Sequence, residues 1–425
     1  MPASRRKDVL VIGGGAAGQM AAWTAARAGA HVILLEKMPQ TGLKIGLTGK
    51  GRCNITNARP IEEFIPETPG NGKFLYGAYR RFSNEDMMAQ LQEHGLALKV
   101  ERGGRVFPAG DSAQEVRAFF RRELRQAGVE VYTGAAVKQL EKENARYIAL
   151  TADGERYSGD AAVIATGGAS YPQTGSDGSG WALAERLGHR IIAPRAALIP
   201  LVCTGDTAAS MQGLSLRNVE LTLEIDGKRK ATLRGEMLFT HFGVSGPIVL
   251  SLSDQASAAL QKGKRVRLSL DLKPALTESQ LSRRIQRDMD KYHRKVMSNA
   301  LQDLLPQKMI LPLLAVAGVA PGKIAAELTR AERQALTDVF KSWKFTVSET
   351  RPLREAIVTA GGVRVKEVRA DTMESKLQPG LFFAGEVLDI HANTGGYNLQ
   401  AAFSTGFVAG NEAGRRDNEG HYDSY

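Results

Sequence analysis

The sequence predicts an α/β protein in which both ends of the chain build one domain and the middle is an insertion. Three observations carry this. A glycine-rich turn, Gly13-Gly14-Gly15-Ala16-Ala17-Gly18, joins an apolar strand to an Ala-rich helix near the start. A short apolar strand ending in Gly385-Glu386 lies near the end. Between them, from about Arg195, alternation of strands with helices gives way to period-two alternation.

The first turn is read residue by residue. Gly13 permits a tight strand-to-helix turn, Gly15 lets backbone approach a pyrophosphate, and Gly18 lets the helix pack on the sheet. Ala16 and Ala17 open the helix, and the next strand, His31-Val32-Ile33-Leu34-Leu35, ends at Glu36, followed by Lys37. An acid at this position accepts ribose hydroxyls. The context of strand, helix and acid makes this a Rossmann-like dinucleotide site and not merely a glycine-rich turn. Further on, Ala161-Ala162-Val163-Ile164 runs into Ala165-Thr166-Gly167-Gly168, a turn that closes over the same dinucleotide. The terminal Leu381-Phe382-Phe383-Ala384-Gly385-Glu386 returns to the first sheet and brings a carboxylate to a ribityl chain or ribose. Each of these pieces alone also reads as a strand cap; their order and spacing point to FAD in a two-dinucleotide-fold domain. Val137 is a further cofactor-contact candidate.

Composition agrees with a large globular protein: 425 residues, 43% apolar, 24% charged. The two cysteines, Cys53 and Cys203, are far apart, so neither a disulfide framework nor a metal site is expected, and a reducing cytoplasm fits. Basic Met1–Asp8 followed by apolar residues imitates a signal peptide, but five glycines between Val9 and Ala30 mark the first βαβ unit instead. No run of about 20 apolar residues exists, so no membrane span is expected.

Amphipathic helices are expected around Glu85 to His94 and Ala113 to Ala127, with strands near Val129 to Tyr132 and Tyr147 to Thr151. Val219 to Ile225 alternates into the hairpin turn Asp226-Gly227, and Val266 to Leu272 alternates likewise. Helices follow from about Thr277 to Leu304 and within Gly322 to Trp343. After Arg354 the chain returns through Gly361-Gly362-Val363. The expected division is 1–190 with 355–425, a β-rich insertion of 191–275 with 344–354, and a basic helical part, 276–343.

Charge follows that division. Residues 191–354 hold 25 Lys plus Arg against 15 Asp plus Glu, whereas the rest holds 31 against 30. Arg283, Arg287, Lys291 and Arg294 recur at helical spacing, flanked by Arg284 and Lys295, with Tyr292 and His293 interleaved. Such a stripe is either a solvated face or a phosphate-tracking surface for nucleic acid, and the segregation of charge favours the second.

Chemistry is expected where a flavin ring would lie. The loop from Gly42 to Asn57 follows the ribose-side strand and is too rich in glycine and small polar residues for core. In it, Gly51 and neighbouring N–H groups suit phosphate or flavin carbonyl oxygens, Lys44 and Arg52 suit negative charge, and Asn54 and Asn57 suit ring edges. Gly396-Tyr397-Asn398-Leu399 opens the last helix, whose N-terminal dipole, roughly half a positive charge, suits an anionic reduced flavin. Tyr397 can also stack on or hydrogen-bond to the ring. Cys53 is either a proton donor or a packed small residue; His241 either faces the flavin or caps the helix after Pro247. Cys203 reads as core. No second GxGxxG occupies an evident βαβ unit, so NAD(P)H is expected only as a transient reductant.

The motifs Gly49-Lys50-Gly51-Arg52-Cys53-Asn54-Ile55-Thr56-Asn57, Leu238 to Pro247, Thr359 to Val363, and Gly385 to Ile390 with Gly395-Gly396-Tyr397-Asn398 resemble those of the BaiN-like flavoproteins, also called the aminoacetone oxidase family. The resemblance spans nearly the whole chain. It implies non-covalent FAD, an inserted β-barrel-like domain and a small helical domain. It also implies one of several activities: a steroid-enone reductase, an oxidase of a small amino ketone, or a ribosomal RNA dihydrouridine synthase. The first and third reduce a conjugated C=C bond. A small substrate gives no reason for a basic insertion and a large RNA does, so a uridine of 23S ribosomal RNA is the leading expectation. A small enone or amino ketone is the alternative, and an FAD-stabilised RNA-binding factor without turnover the third reading.

Overall fold

The computed structural model describes residues 6–415; Met1–Arg5 of the basic start and residues 416–425 lie outside the described residues. The chain forms two compact units, Met1–Arg195 with Leu353–Tyr425, and Ala196–Pro352.

The first unit is built on five parallel strands. Strands β1 (Asp8–Ile12), β2 (His31–Glu36), β3 (Glu130–Thr133) and β4 (Ala161–Ile164) join the C-terminal strand Leu381–Phe383 in the order C-terminal strand, β4, β1, β2, β3. Val9–Ile12 are buried, as a central strand covered on both faces requires. Helix α1 (Ala16–Arg27) crosses from β1 to β2, and α2 (Ala113–Gln126) precedes β3. The terminal helix Tyr397–Gly414 runs beside α1 at backbone contact. A Cβ on Gly406, Gly410 or Gly414 would stand 2.4, 2.2 or 2.8 Å from the carbonyl oxygens of Ala17, Ala21 and Ala25 respectively. This register makes the helices parallel. At a 1.5 Å rise per residue, the terminal helix starts about 12 Å beyond the start of α1. Two helix N-termini therefore point the same way along one line.

At the opposite ends of the strands, His31 Nδ1 meets Asp8 at 3.2 Å and Nε2 meets Glu130 at 2.7 Å, joining β1, β2 and β3. The hydrogen bond to Glu130, opposed by burial and helped by Asp8, raises the His31 pKa. The stabilisation is therefore complete below the ordinary histidine pKa and lost as pH rises through the raised one. We expect the melting temperature to fall over that window and His31→Gln to flatten that part of the profile; an identical profile in the variant would show that His31 does not contribute.

The second unit is a closed antiparallel barrel. Its strands, β5 (Leu201–Cys203), β6 (Ser215–Ile225), β7 (Lys228–Thr240), β8 (Gly243–Ser245), β9 (Val266–Asp271) and β10 (Trp343–Thr350), close in the order β5, β8, β7, β6, β9, β10. Alternation places Val219, Leu221, Leu223 and Ile225 inside with Phe239, Leu268 and Trp343. Helices α3 (Pro247–Leu260), α4 (Glu278–Lys291) and α5 (Arg330–Lys341) pack on it and share its core. Cys203 is buried there, as expected of core.

Two helical expectations are corrected. The helix expected from Thr277 to Leu304 stops at Lys291: Lys295 N–H turns back to the Tyr292 carbonyl at 2.8 Å, and Val296 is extended, bridged to Ile324, before a short helix Met297–Ala300. Arg294 and Lys295 thus sit on a turn, not on the helix. A helix at Gln307–Ala317 went unread because it contains Pro312; its buried Met309, Ile310, Leu313 and Leu314 outweigh the missing hydrogen bond.

Candidate active site

The start of α1 supplies an open cradle. Gly13 has φ +101°, and a Cβ there would meet the Ala165 carbonyl oxygen at 2.6 Å. A Cβ on Gly18 would come within 1.8 Å of the Gly13 carbonyl oxygen, so the helix seats directly on the turn. Gly15 differs: among the described residues, apart from its chain neighbours, no atom lies within 4 Å of its hypothetical Cβ. It is the N-cap of α1, without a side-chain cap and with no acid in the first turn. Among the described residues the leading N–H groups at Ala16 and Ala17 have no intrahelical acceptor, which makes this helix start suited to an anion.

Glu36 stands at the edge of the cradle. Its carboxylate accepts the Gly14 N–H at 2.7 Å and the Met38 N–H at 2.8 Å; burial raises its pKa while these hydrogen bonds oppose the rise. Its remaining lone pairs can accept hydroxyls. The chain leaving β3 crosses here, Gly134 N–H donating to Met38 and Ala135 N–H to Glu36, and leads into Val137. Lys37 turns its side chain to Asp177 at 2.5 Å and Ser179 at 3.1 Å, clamping that loop.

The turn after β4 closes on Gly13. Gly167 has φ +76°, and the Thr166 Oγ1 is buried with no hydrogen-bond partner among the described residues. A Cβ on Gly168 would meet Thr359 Oγ1 at 2.6 Å and Glu386 Oε1 at 3.0 Å. Glu386 is itself engaged: it accepts Lys44 Nζ at 2.7 Å, the Thr359 N–H at 2.7 Å and Ser170 Oγ at 3.2 Å. Lys44 also reaches Ser170 at 2.7 Å. Lys44 and Glu386, expected as separate cofactor ligands, neutralise each other. Gly385 donates its N–H to Thr405 at 2.9 Å, fixing the terminal helix to this turn.

In the loop from Gly42, the Gly42 N–H donates to the Gly14 carbonyl at 2.9 Å, tying the loop to the cradle. Gly51 is exposed at φ +86°. Asn54 Oδ1 is buried without a partner among the described residues. Arg52 is committed elsewhere, to Glu101 at 2.8 Å and Asp111 at 3.2 Å, above the Phe107 ring. Asn57 bonds the carbonyls of Gly103 and Gly395, so it braces the terminal helix and not a ring edge. Cys53 has 0% exposure, and burial pushes its thiol pKa up to about 12. A side chain with no accessible surface cannot touch a ligand without rearrangement, which favours the packed alternative for Cys53 over the proton donor.

The terminal helix opens at Gly396, φ +102°, where a Cβ would stand 2.3 Å from the Thr56 carbonyl oxygen. Its first turn contains no acid and no side chain caps it. Tyr397 is 3% exposed, and its ring packs edge-on against Phe64 at 4.8 Å. Asn398 holds Ala392 and Asn393 through its amide. Leu399 is half-buried. What the helix offers is backbone N–H groups, not side chains.

Arg117 was missed. It is 9% exposed and donates to the Thr41 carbonyl at 3.2 Å and Gln40 at 2.7 Å, holding the loop that carries Lys44, with no carboxylate partner among the described residues. The signal was present: an arginine on the apolar stripe of α2 with Ala113, Phe120 and Leu124.

In the second unit, His241 is exposed on the turn between β7 and β8, edge-on to Phe242. Helix α3 is capped by Gly246, so His241 does not cap it. On α4, Arg284 pairs with buried Asp288, and Lys291 pairs with Asp303 at 2.9 Å, so these two cations are spent internally. Lys295 lies 4.4 Å from the Tyr292 ring centre. Arg283, Arg287, Arg294 and Lys295 are exposed and have no carboxylate partner among the described residues.

A parallel sheet with an open glycine cradle, a ribose-side carboxylate and a second helix start in line defines an FAD-dependent oxidoreductase of the Rossmann class. More particularly, the chain belongs to the HI0933-like family: the family model for the HI0933-like protein Rossmann domain matches residues 7–412. It is similar to the 3-dehydro-bile acid delta(4,6)-reductase of Clostridium scindens, 34% identical over 409 residues, 96% of this chain and 98% of that protein. It is also similar to the ribosomal RNA dihydrouridine synthase of Escherichia coli, 31% identical over 405 residues, 95% of this chain and 97% of that one. The fold is shared with a 3-ketosteroid-delta4-(5alpha)-dehydrogenase from Rhodococcus jostii, TM-score 0.50 at 17% identity, covering 96% of this chain and 97% of that chain. Among the described residues no helix is long and apolar enough to cross a membrane.

Proposed function

We propose that the protein is an NAD(P)H-driven flavin reductase of a conjugated C=C bond, acting on a uridine of ribosomal RNA. The observation that carries the substrate is the excess of basic residues in the insertion, with Arg283, Arg287, Arg294 and Lys295 exposed and unneutralised. Bound FAD would supply a hydride carrier suited to a C=C conjugated to a carbonyl, as the uracil C5=C6 is. For its part, the chain offers the N–H groups at Gly15, Ala16 and Ala17 to a pyrophosphate and Glu36 to ribose hydroxyls. The orphaned Thr166 Oγ1 and Asn54 Oδ1, the Gly167 and Gly168 turn, and the start of the terminal helix offer polar contacts further along the same line. Lys44 and Glu386 hold that line in shape by neutralising each other. Of the two acids expected from sequence, Cys53 is fully buried, and His241 is exposed in the second unit. Cys53→Ala is expected to keep turnover within about 3-fold with an unchanged pH profile; a 100-fold loss with normal FAD content would restore the thiol to the chemistry.

The test is anaerobic. The yellow protein is reduced with NADPH or NADH and mixed with unmodified ribosomal RNA while the flavin absorbance is followed and dihydrouridine is assayed by mass spectrometry. Flavin reoxidation with dihydrouridine formed is the expected result. No reoxidation by RNA but rapid reoxidation by a steroid enone would replace this reading with the small-molecule one that the bile acid reductase relative supports. Within the α4 surface, Arg283→Glu with Arg287→Glu and Arg294→Glu should weaken RNA binding and lower the salt slope by roughly 2 to 3; an unchanged slope would leave these residues a solvated face.

A further inference from the structure

We propose that the tip of the barrel is a second phosphate-backbone contact, at the end of the barrel away from α4, so that the substrate is a long folded RNA held at two places. This rests on the RNA reading above and deepens it. Two turns meet at the tip. The start of β7, just after the Asp226-Gly227 turn, carries Lys228, Arg229 and Lys230, and the turn from α3 into β9 carries Lys262, Lys264 and Arg265; all six are exposed. The turns are stitched together by Asp226 N–H donating to the Arg265 carbonyl at 2.9 Å and Arg265 N–H donating to Asp226 Oδ1 at 3.0 Å. Asp226 is the one acid in the two turns, and its nearest cation, Lys264, stands 4.0 Å away. Among the described residues, Arg229 alone of the six donates a side-chain hydrogen bond, to Thr232 at 2.8 Å.

Ordinary structural needs account for part of this charge. Lys262 and Lys264 follow the C-terminus of α3, where cations complement the helix dipole. The dipole is served within one turn of chain, and Lys228, Arg229 and Lys230 come from a different element. Six like charges gather around Asp226, while Glu224, across the strands from Arg229, is taken by Lys344; they repel one another, and a polyanion relieves that repulsion.

Placement sets the size of the partner. Strand β9 begins beside the tip at Val266 and ends at Asp271, from which the chain enters α4. Six strand residues span about 17 Å, so the tip and the chain entering α4 stand at opposite ends of β9. At 3.4 Å of duplex axis per step, the length of β9 alone corresponds to about five base pairs. A free nucleoside or a steroid would engage neither pair of surfaces.

The test uses the full FAD-loaded chain with Lys228→Glu, Lys230→Glu and Lys264→Glu combined, titrated with unmodified in vitro transcribed ribosomal RNA across a salt series. We expect at least a 10-fold loss of affinity and a salt slope lower by about 2 to 3, with FAD content unchanged, and a comparable loss from the α4 reversal. If the wild-type protein fails to bind the RNA, the RNA reading falls and this proposal with it. If wild type binds, the α4 reversal weakens binding and the tip reversal does not, this proposal alone falls. Tip reversal that abolishes binding to phosphatidylserine vesicles while sparing RNA also overturns it. The Lys→Gln triple, which adds no new charge, keeps the test valid should the reversal variant lose FAD.

Discussion

Gly15→Ala is expected to yield a folded, stable protein that has lost its FAD. Gly15 has φ −75°, a conformation any residue adopts, and no protein atom lies within 4 Å of the added Cβ. The methyl group therefore meets nothing in the polypeptide. It enters the space above the leading N–H groups of α1, where a pyrophosphate must come against the backbone. Overpacking of one methyl costs about 1–3 kcal/mol, which is roughly 10- to 100-fold in FAD affinity. The contrast is with Gly13→Ala and Gly18→Ala, whose Cβ atoms would meet backbone carbonyl oxygens at 2.6 and 1.8 Å. Those two should lose the fold along with the cofactor. The measurement is the ratio of flavin to protein absorbance after purification, paired with thermal unfolding of the cofactor-free protein. A Gly15→Ala protein that binds FAD as the wild type does would remove the cradle from the cofactor site.

What was legible in the sequence was set by local chemistry. Gly13, Gly15, Gly18 and Glu36 could be read because each answers a backbone requirement within one βαβ unit, and the hairpin at Asp226-Gly227 because a turn type and period-two alternation are local. Side-chain partners were not legible. Lys44 and Glu386 are 342 positions apart in sequence, and their mutual neutralisation depends on how the two ends of the chain return to one sheet. Tyr397 and Cys53 carry reactive groups in motif-rich segments, yet tertiary packing against Phe64 and beneath the Thr48 turn buries both. Arg294 shows the reverse error: its spacing continued the α4 stripe, but the bridge from Val296 to Ile324 ends the helix first.

The second large effect is expected at Gly410, far along the terminal helix from the cradle. Gly410→Ala places a Cβ 2.2 Å from the Ala21 carbonyl oxygen, where a normal carbon–oxygen contact needs more than 3 Å. In an exposed helix the same change would stabilise by about 1 kcal/mol through helix propensity. Here the obstacle is main chain on a second helix, so neither side can yield by rotating a side chain. Relief requires separating the terminal helix from α1, which also draws Gly406 and Gly414 off Ala17 and Ala25 and opens gaps among buried neighbours. We expect a destabilisation of about 3 kcal/mol or more, read as a lower midpoint in urea unfolding. FAD affinity should fall with it, because this contact, with the seat of Gly396 on Thr56 and the hydrogen bonds of Asn57 and Gly385, keeps the start of the terminal helix in place. Truncating the apparent neighbour discriminates the cause. Ala21→Gly removes a side chain but leaves the carbonyl, so the double variant should be no more stable than Gly410→Ala alone. Rescue by Ala21→Gly would mean that side chains, not main chains, set the distance between these helices.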